Sequence, residues 1–204
     1  MDEAQLKQII KWVRDSKDAM RIKYEVWNRS KEIVKKHKKK RSWTQKVIVS
    51  RITASTKPLV RYTPERFNEL LINRDHETAV NHLVWILSLW EALIKHVLVK
   101  KYRVPKKIMK ETKIDGFLLF LSFKRFISKK ERRELKVAQV FRNSFVHNGG
   151  QATEKEIRYY KNLRKGKRPL VVNGILNPNL RDIEPWNDMI INSTEKMIKE
   201  YDLD

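Results

Sequence analysis

A mainly α-helical protein is predicted by three observations. Gly and Pro are scarce, at 5 and 6 of 204 residues, which disfavours a turn-rich β-fold. Apolar side chains recur at helical spacing over long stretches. Cap residues stand at the ends of several of these stretches.

The elements follow in order. Residues 2–38 read as one long helix or two, with an apolar stripe at Leu6, Ile9, Ile10 and Val13 that Ile22, Val26, Ile33 and Val34 continue less cleanly. The run Lys35, Lys36, His37, Lys38, Lys39, Lys40, Arg41 ends the pattern. It reads either as a solvated helix end or as an arm that grips phosphate. Residues 43–60 are β-branched and ambiguous, and allow a short strand at 47–53. Thr63-Pro64-Glu65 is an N-cap followed by Pro at the first helical position, opening a short helix to about Ile72. Asp75 can cap the next, His76 to Tyr102, which is apolar almost all round and is closed by Pro105. A helix without a wide polar face is buried on several sides, so this one is expected at the centre, with Trp85 and Trp90 in the core and part of its surface facing a partner chain.

Residues 116–127 predict a compact apolar helix. Ser128-Lys129-Lys130-Glu131 fits a capping box. The helix it opens carries Leu135, Ala138, Phe141 and Phe145 on one side and ends at Asn148-Gly149-Gly150. A helix over 153–164, capped by Thr153, comes next, then short β-branched or turn-flanked pieces near 169–176 and 180–183. Asn173-Gly174 and Asn177-Pro178 mark turns there. An amphipathic helix at 186–201, with Met189, Ile190, Met197 and Ile198 inward, closes the chain. The expected organisation is a basic helical N-terminal extension, 1–62, before a helical domain, 63–204, that carries a small β-hairpin insertion.

Charge bears on partners. Net charge is +22, concentrated in residues 1–62 (+12) and 100–168 (+16), while 63–99 carry −2 and 169–204 carry −4. Such a field attracts polyanions, nucleic acid first among them. The Lys35–Arg41 run (Lys35, Lys36, Lys38, Lys39, Lys40, Arg41) and the start of the helix after Ser128 (Lys129, Lys130, Arg132, Arg133) are the candidate contacts. Trp27 and Trp43 flank the first run and can stack on bases. Cys is absent, which excludes disulfides, thiolate zinc sites and Cys nucleophiles. His82 and His96 are too far apart along one helix to share a metal, so neither metal nor cofactor is expected. No signal-peptide or lipidation pattern is visible, and charges at Glu91, Lys95 and His96 interrupt the most apolar stretch. The expectation is a soluble cytoplasmic protein with no membrane partner.

One segment carries chemistry: Phe141-Arg142-Asn143-Ser144-Phe145-Val146-His147-Asn148-Gly149-Gly150. An Arg, a polar residue directly after it, apolar residues in the interval, a His at the helix end and a glycine stop follow a long hydrophobic helix. This resembles the signature of the HEPN family, Arg followed four to six residues later by His on the second helix of a hairpin. The resemblance covers roughly 75–202, and residues 1–62 match nothing in it. It implies a HEPN-like helical bundle, a homodimer in which two Arg–His pairs meet in one cleft, and a metal-independent endoribonuclease with Arg142 and His147 catalytic. Asn143 would orient His147 or bind phosphate. Helix geometry is compatible with this. Arg142 and His147 are about 140° apart on an ideal helix, so they converge either if the helix unwinds at Asn148-Gly149-Gly150 or if two copies pack and each supplies a pair to one cleft.

Glu91, in the same apolar helix, either pairs with Lys95 one turn later or points into the cleft to orient Arg142 or His147. The family's place in toxin–antitoxin, abortive-infection and CRISPR-linked defence implies an antitoxin or defence-system partner. The alternative is a non-catalytic, basic nucleic-acid-binding protein whose HEPN-like part only dimerises.

Overall fold

The computed structural model describes residues 1–38, 47–48, 61–62, 64–111, 114–154, 171–172, 175–176 and 178–203. The helices are α1 (Glu3–Lys38), α2 (Pro64–Tyr102), α3 (Lys106–Glu111), α4 (Ile114–Phe123), α5 (Lys129–Asn148) and α6 (Leu180–Tyr201). Two antiparallel pairings of two residues each join Val47–Ile48 to Arg61–Tyr62 and Val171–Val172 to Ile175–Leu176. They are too short to form a layer, so the architecture is all-α. The expected helix over 153–164 lies outside the described residues beyond Glu154.

α2 runs through the middle. Its inward face buries Ala79, Leu83, Ile86, Leu87, Trp90, Leu93, Ile94 and Val97. α1 lies antiparallel to α6, as the pairs Arg14–Glu195, Lys17–Asp188 and Tyr24–Arg181 show. α6 runs parallel to α2, through His82–Asn187 and the Trp90 indole N–H donating to Ser193. α5 packs antiparallel to α2, with Phe145 against His76 and Arg142 near Ser88, and sets Phe141 against Trp186 of α6. α1 is integral to this arrangement, since Leu6, Ile10, Val13 and Met20 belong to the same buried cluster as α2, α5 and α6.

Local signals account for the helix ends. Ser128 accepts from the Glu131 backbone N–H, and the Glu131 carboxylate accepts in return from the Ser128 N–H at 2.6 Å. That bond holds the Glu131 carboxyl below the usual carboxylate range. Gly149, at φ +57°, stops α5, and its N–H bonds back to the Ser144 carbonyl. Gly150, at φ +84°, follows, and a Cβ there would come within 2.5 Å of the Phe145 ring.

Several expectations require correction. The two helices expected over 64–102 are one, because Asp75 does not interrupt the backbone ladder. α4 stops at Phe123 rather than 127; Arg125 takes a left-handed φ of 61°, and the turn folds Phe126 and Ile127 back into the core. The piece expected at 180–183 is the first turn of α6. Asn179 caps it reciprocally with Asp182, and Pro185, the sixth residue of the helix, gives up the one backbone bond that its missing N–H would make to Arg181. Ile22 and Val26 are 62% and 60% exposed, so the inward stripe of α1 ends near Met20. Trp85 is 37% exposed whereas Trp90 is buried. The charges in the apolar stretch disqualify it less than expected. His76–Tyr102 is long enough to cross a membrane and contains an 18-residue window apolar enough by composition, although half of that window is buried inside the protein. A central helix in a helical core meets the same description.

Candidate active site between α2 and α5

The site is built on two helices whose sequences prepare it differently. On α5, the capping box and the Gly149 stop set the length of the helix, so Arg142, Asn143 and His147 occupy its last two turns. On α2, a narrow polar stripe interrupts an apolar surface at Ser88, Glu91 and Lys95, spaced three and four residues apart and hence on one face. The antiparallel packing of α5 on α2 lays Arg142 across that stripe.

The Arg142 guanidinium donates from Nη1 to Asn143 Oδ1 at 3.3 Å and from Nη2 to Ser88 Oγ at 3.5 Å, and Nη1 stands 3.8 Å from Glu91 Oε2. All three contacts are long for a charge-assisted pair, which ordinarily closes to about 2.7–2.9 Å. The Nε–H is buried and has no acceptor among the described residues. Glu91 is held more tightly by Lys95, at 2.6 Å. One Glu91 carboxylate oxygen thus lies on Lys95 while the other faces Arg142. The side chains of Arg142 and Glu91 are about one quarter and one fifth exposed, so the guanidinium is half-buried with an open side. Asp115 and Lys136 form an ion pair between α4 and α5 at 3.0 Å.

His147 is exposed in the last turn of α5 and makes no hydrogen bond among the described residues. The chain leaves the helix only at Gly149 and Gly150, past His147, so Arg142 and His147 both stay within the regular part of α5. Within one chain the link is Asn143, which accepts from Arg142 and lies one turn before His147 on the same face.

The other sequence-derived residues divide by place. Lys129, Lys130 and Arg133 are exposed, and Arg132 half-buried, in the first turns of α5, at the opposite end of that helix from His147. Lys35, Lys36 and Lys38 are in the last turn of α1, where the backbone alone is described; Lys39, Lys40, Arg41 and Trp43 lie outside the described residues. Trp27 is half-buried beneath Lys31, whose Nζ sits 3.3 Å from the ring centre. Among the described residues no three His, Asp or Glu side chains converge to hold a metal. Sequence reasoning missed Ser88, and treated Lys95 only as a partner for Glu91. The signal that could have found both is the polar i, i+3, i+7 stripe on an otherwise apolar helix.

His82, by contrast, is a core residue. It is 1% exposed, with Nε2 3.3 Å from Asn187 Oδ1, which also accepts from Ser16 at 3.1 Å. Burial pushes its imidazole down to about 4; the bond to Asn187 opposes the shift and the Lys23 charge adds to it.

No family model, no curated protein and no solved structure matches this chain.

Proposed function

We propose that this protein is a metal-independent endoribonuclease of the HEPN type, with a composite site formed where two copies bring their Arg142 and His147 side chains into one groove. The observation that carries the reading is the state of Arg142. A guanidinium is held half-buried between α2 and α5 by long contacts, its Nε–H has no acceptor among the described residues, and an exposed helix-end imidazole follows five residues later on the same helix.

RNA supplies its own nucleophile. The 2′-oxygen forms the new bond to phosphorus, its proton passes to a base, the bond to the 5′-oxygen breaks, and that oxygen takes a proton from an acid. A cyclic 2′,3′-phosphate and a free 5′-hydroxyl result. One imidazole serves as base or acid, worth about 10²–10⁴-fold. Doing both in one turnover takes two, which is the reason for a homodimer. Arg142 would meet the non-bridging oxygens, whose charge grows in the transition state. Asn143 orients His147 or the phosphate, and Glu91 fixes the guanidinium. A cytoplasmic setting and control by an antitoxin or other defence-system protein belong to the same reading.

The test is cleavage of structured RNA in EDTA by wild type, Arg142→Ala and His147→Ala. Loss in both variants, with no cleavage of the DNA equivalent, is expected. Equal residual cleavage by all three removes the proposal. The concentration of charge in 1–62 and 100–168 favours a second reading, a non-catalytic nucleic-acid-binding protein. Tight RNA binding by a dimer that never cleaves would establish that instead.

A further inference from the structure

A second groove lies between α1 and α6. A groove of about 360 Å³ is lined by Lys17, Met20, Arg21, Tyr24, Leu180, Arg181 and Glu184. This volume falls at the small end of the range for ligand pockets. Its floor is apolar, since Met20 and Leu180 are buried. Its rim is charged, with three cations against the one carboxylate of Glu184.

Arg181 is the organising group. Its Nε donates to the Tyr24 phenol oxygen at 2.7 Å and its Nη2 donates to the same atom. The guanidinium carbon lies 5.3 Å from the centre of the Tyr24 ring. An exposed arginine is thereby tied at two nitrogens to one oxygen at the rim of the groove, while Nη1 finds no acceptor among the described residues. The nearby cations are bound weakly. Lys17 pairs with Asp188 at 2.9 Å and Arg21 with Glu25 at 3.6 Å, both on largely exposed side chains, and such pairs are readily exchanged for another anion. One turn further along α1 the same combination recurs: the Trp27 ring is 5.9 Å from Tyr24 and carries Lys31 over its face. Beyond it α1 continues into Lys35, Lys36 and Lys38.

Flat rings or guanidinium planes with flanking cations are how proteins hold unpaired nucleotides without reading their sequence. We infer that the α1–α6 groove takes one nucleotide of a single-stranded RNA. The base sits on the Met20–Leu180 floor beside the Tyr24 ring, the phosphate faces Arg181 and Arg21, and the strand continues past Trp27 and Lys31. The proposed ribonuclease activity enters only in the choice of RNA as the polymer; the groove itself is independent of Arg142 and His147.

The experiment is fluorescence anisotropy of a labelled oligouridylate with the full chain in a His147→Ala background, so that binding is read without cleavage. Arg181→Gln should weaken binding about tenfold, the scale of losing one stacked base. Tyr24→Phe, which removes the oxygen that positions Arg181, should weaken it by a smaller factor. The charge-matched control Lys100→Gln, exposed at the end of α2, should change it less than Tyr24→Phe does. Three results would overturn the inference: Arg181→Gln no worse than Lys100→Gln; uridine monophosphate bound as tightly as the oligomer; or a polyglutamate peptide bound as tightly and lost by the same substitution. Cleavage by the His147 protein with Arg181-independent binding would sink this site alone. Arg181-dependent binding without any cleavage would sink only the ribonuclease reading.

Discussion

The Arg142 guanidinium and the Glu91 carboxylate face each other at 3.8 Å across the α2–α5 interface, from positions 51 residues apart in the chain. The gap is too long for a closed ion pair and short enough for Coulombic attraction to set the direction in which the guanidinium points. In the proposed ribonuclease, Glu91 would act as a positioning residue. Glu91→Gln keeps the shape and removes the charge. Cleavage should fall about tenfold in kcat, for the loss of roughly 1.4 kcal/mol of transition-state stabilisation, with little change in KM. Thermal stability should fall by no more than about 0.5 kcal/mol, the scale of an i,i+4 pair such as Glu91–Lys95. Steady-state kinetics and a melting curve on one preparation separate the two; parallel losses in both would show a purely structural residue.

Burial of His82 predicts an acid-labile core. Its imidazole titrates near 6.5 when unfolded and at about 4 when folded, so between those values the unfolded chain binds more protons. His82's contribution is complete above pH 6.5, declines as pH falls, and is gone below about 4. The full amplitude is about 3 kcal/mol. His82→Gln should be less stable near neutrality yet show a flatter dependence over this window, measured by urea denaturation at a series of pH values. Parallel profiles for the two proteins would contradict it.

The two glycines after α5 should respond differently. Both have positive φ, but a Cβ at Gly149 meets nothing within 4 Å, whereas one at Gly150 collides with Phe145. Gly149→Ala is expected to cost about 1 kcal/mol, for the backbone conformation alone. Gly150→Ala should cost about 1–3 kcal/mol more, from forced repacking, because Phe145 rests on His76 of α2. Chemical denaturation of both variants tests the order.

The cap at the other end of α5 contributes in a way that depends on pH. Ser128→Ala deletes one half of the capping box and should destabilise by about 1 kcal/mol at neutral pH. The carboxylate of Glu131, held below its usual range by the Ser128 backbone, contributes above its unfolded value and loses that contribution as pH falls through its folded one. Glu131→Gln should therefore cost stability near pH 7 and little in strong acid, seen as converging melting temperatures.

What sequence alone determined was local. Ser128 with Glu131 and the Gly149 stop bounded α5, and the interval from Arg142 to His147 placed those two side chains on different faces, because caps and helical angles act within about four residues. Even at this range competing signals misled: Asp75 suggested a break that α2 does not have, and Asn179 with Asp182 set the start of α6 upstream of the expected 186. Only the tertiary structure decided that Trp90 points inward and Trp85 outward, that Ser88 and Glu91 meet Arg142, and that Tyr24 seats Arg181. A helix apolar around most of its circumference, such as α2, has no single face that pattern can assign. Its rotation is set by the side chains of α1, α5 and α6 packing on it together, and that choice is made by contacts between residues far apart in the chain.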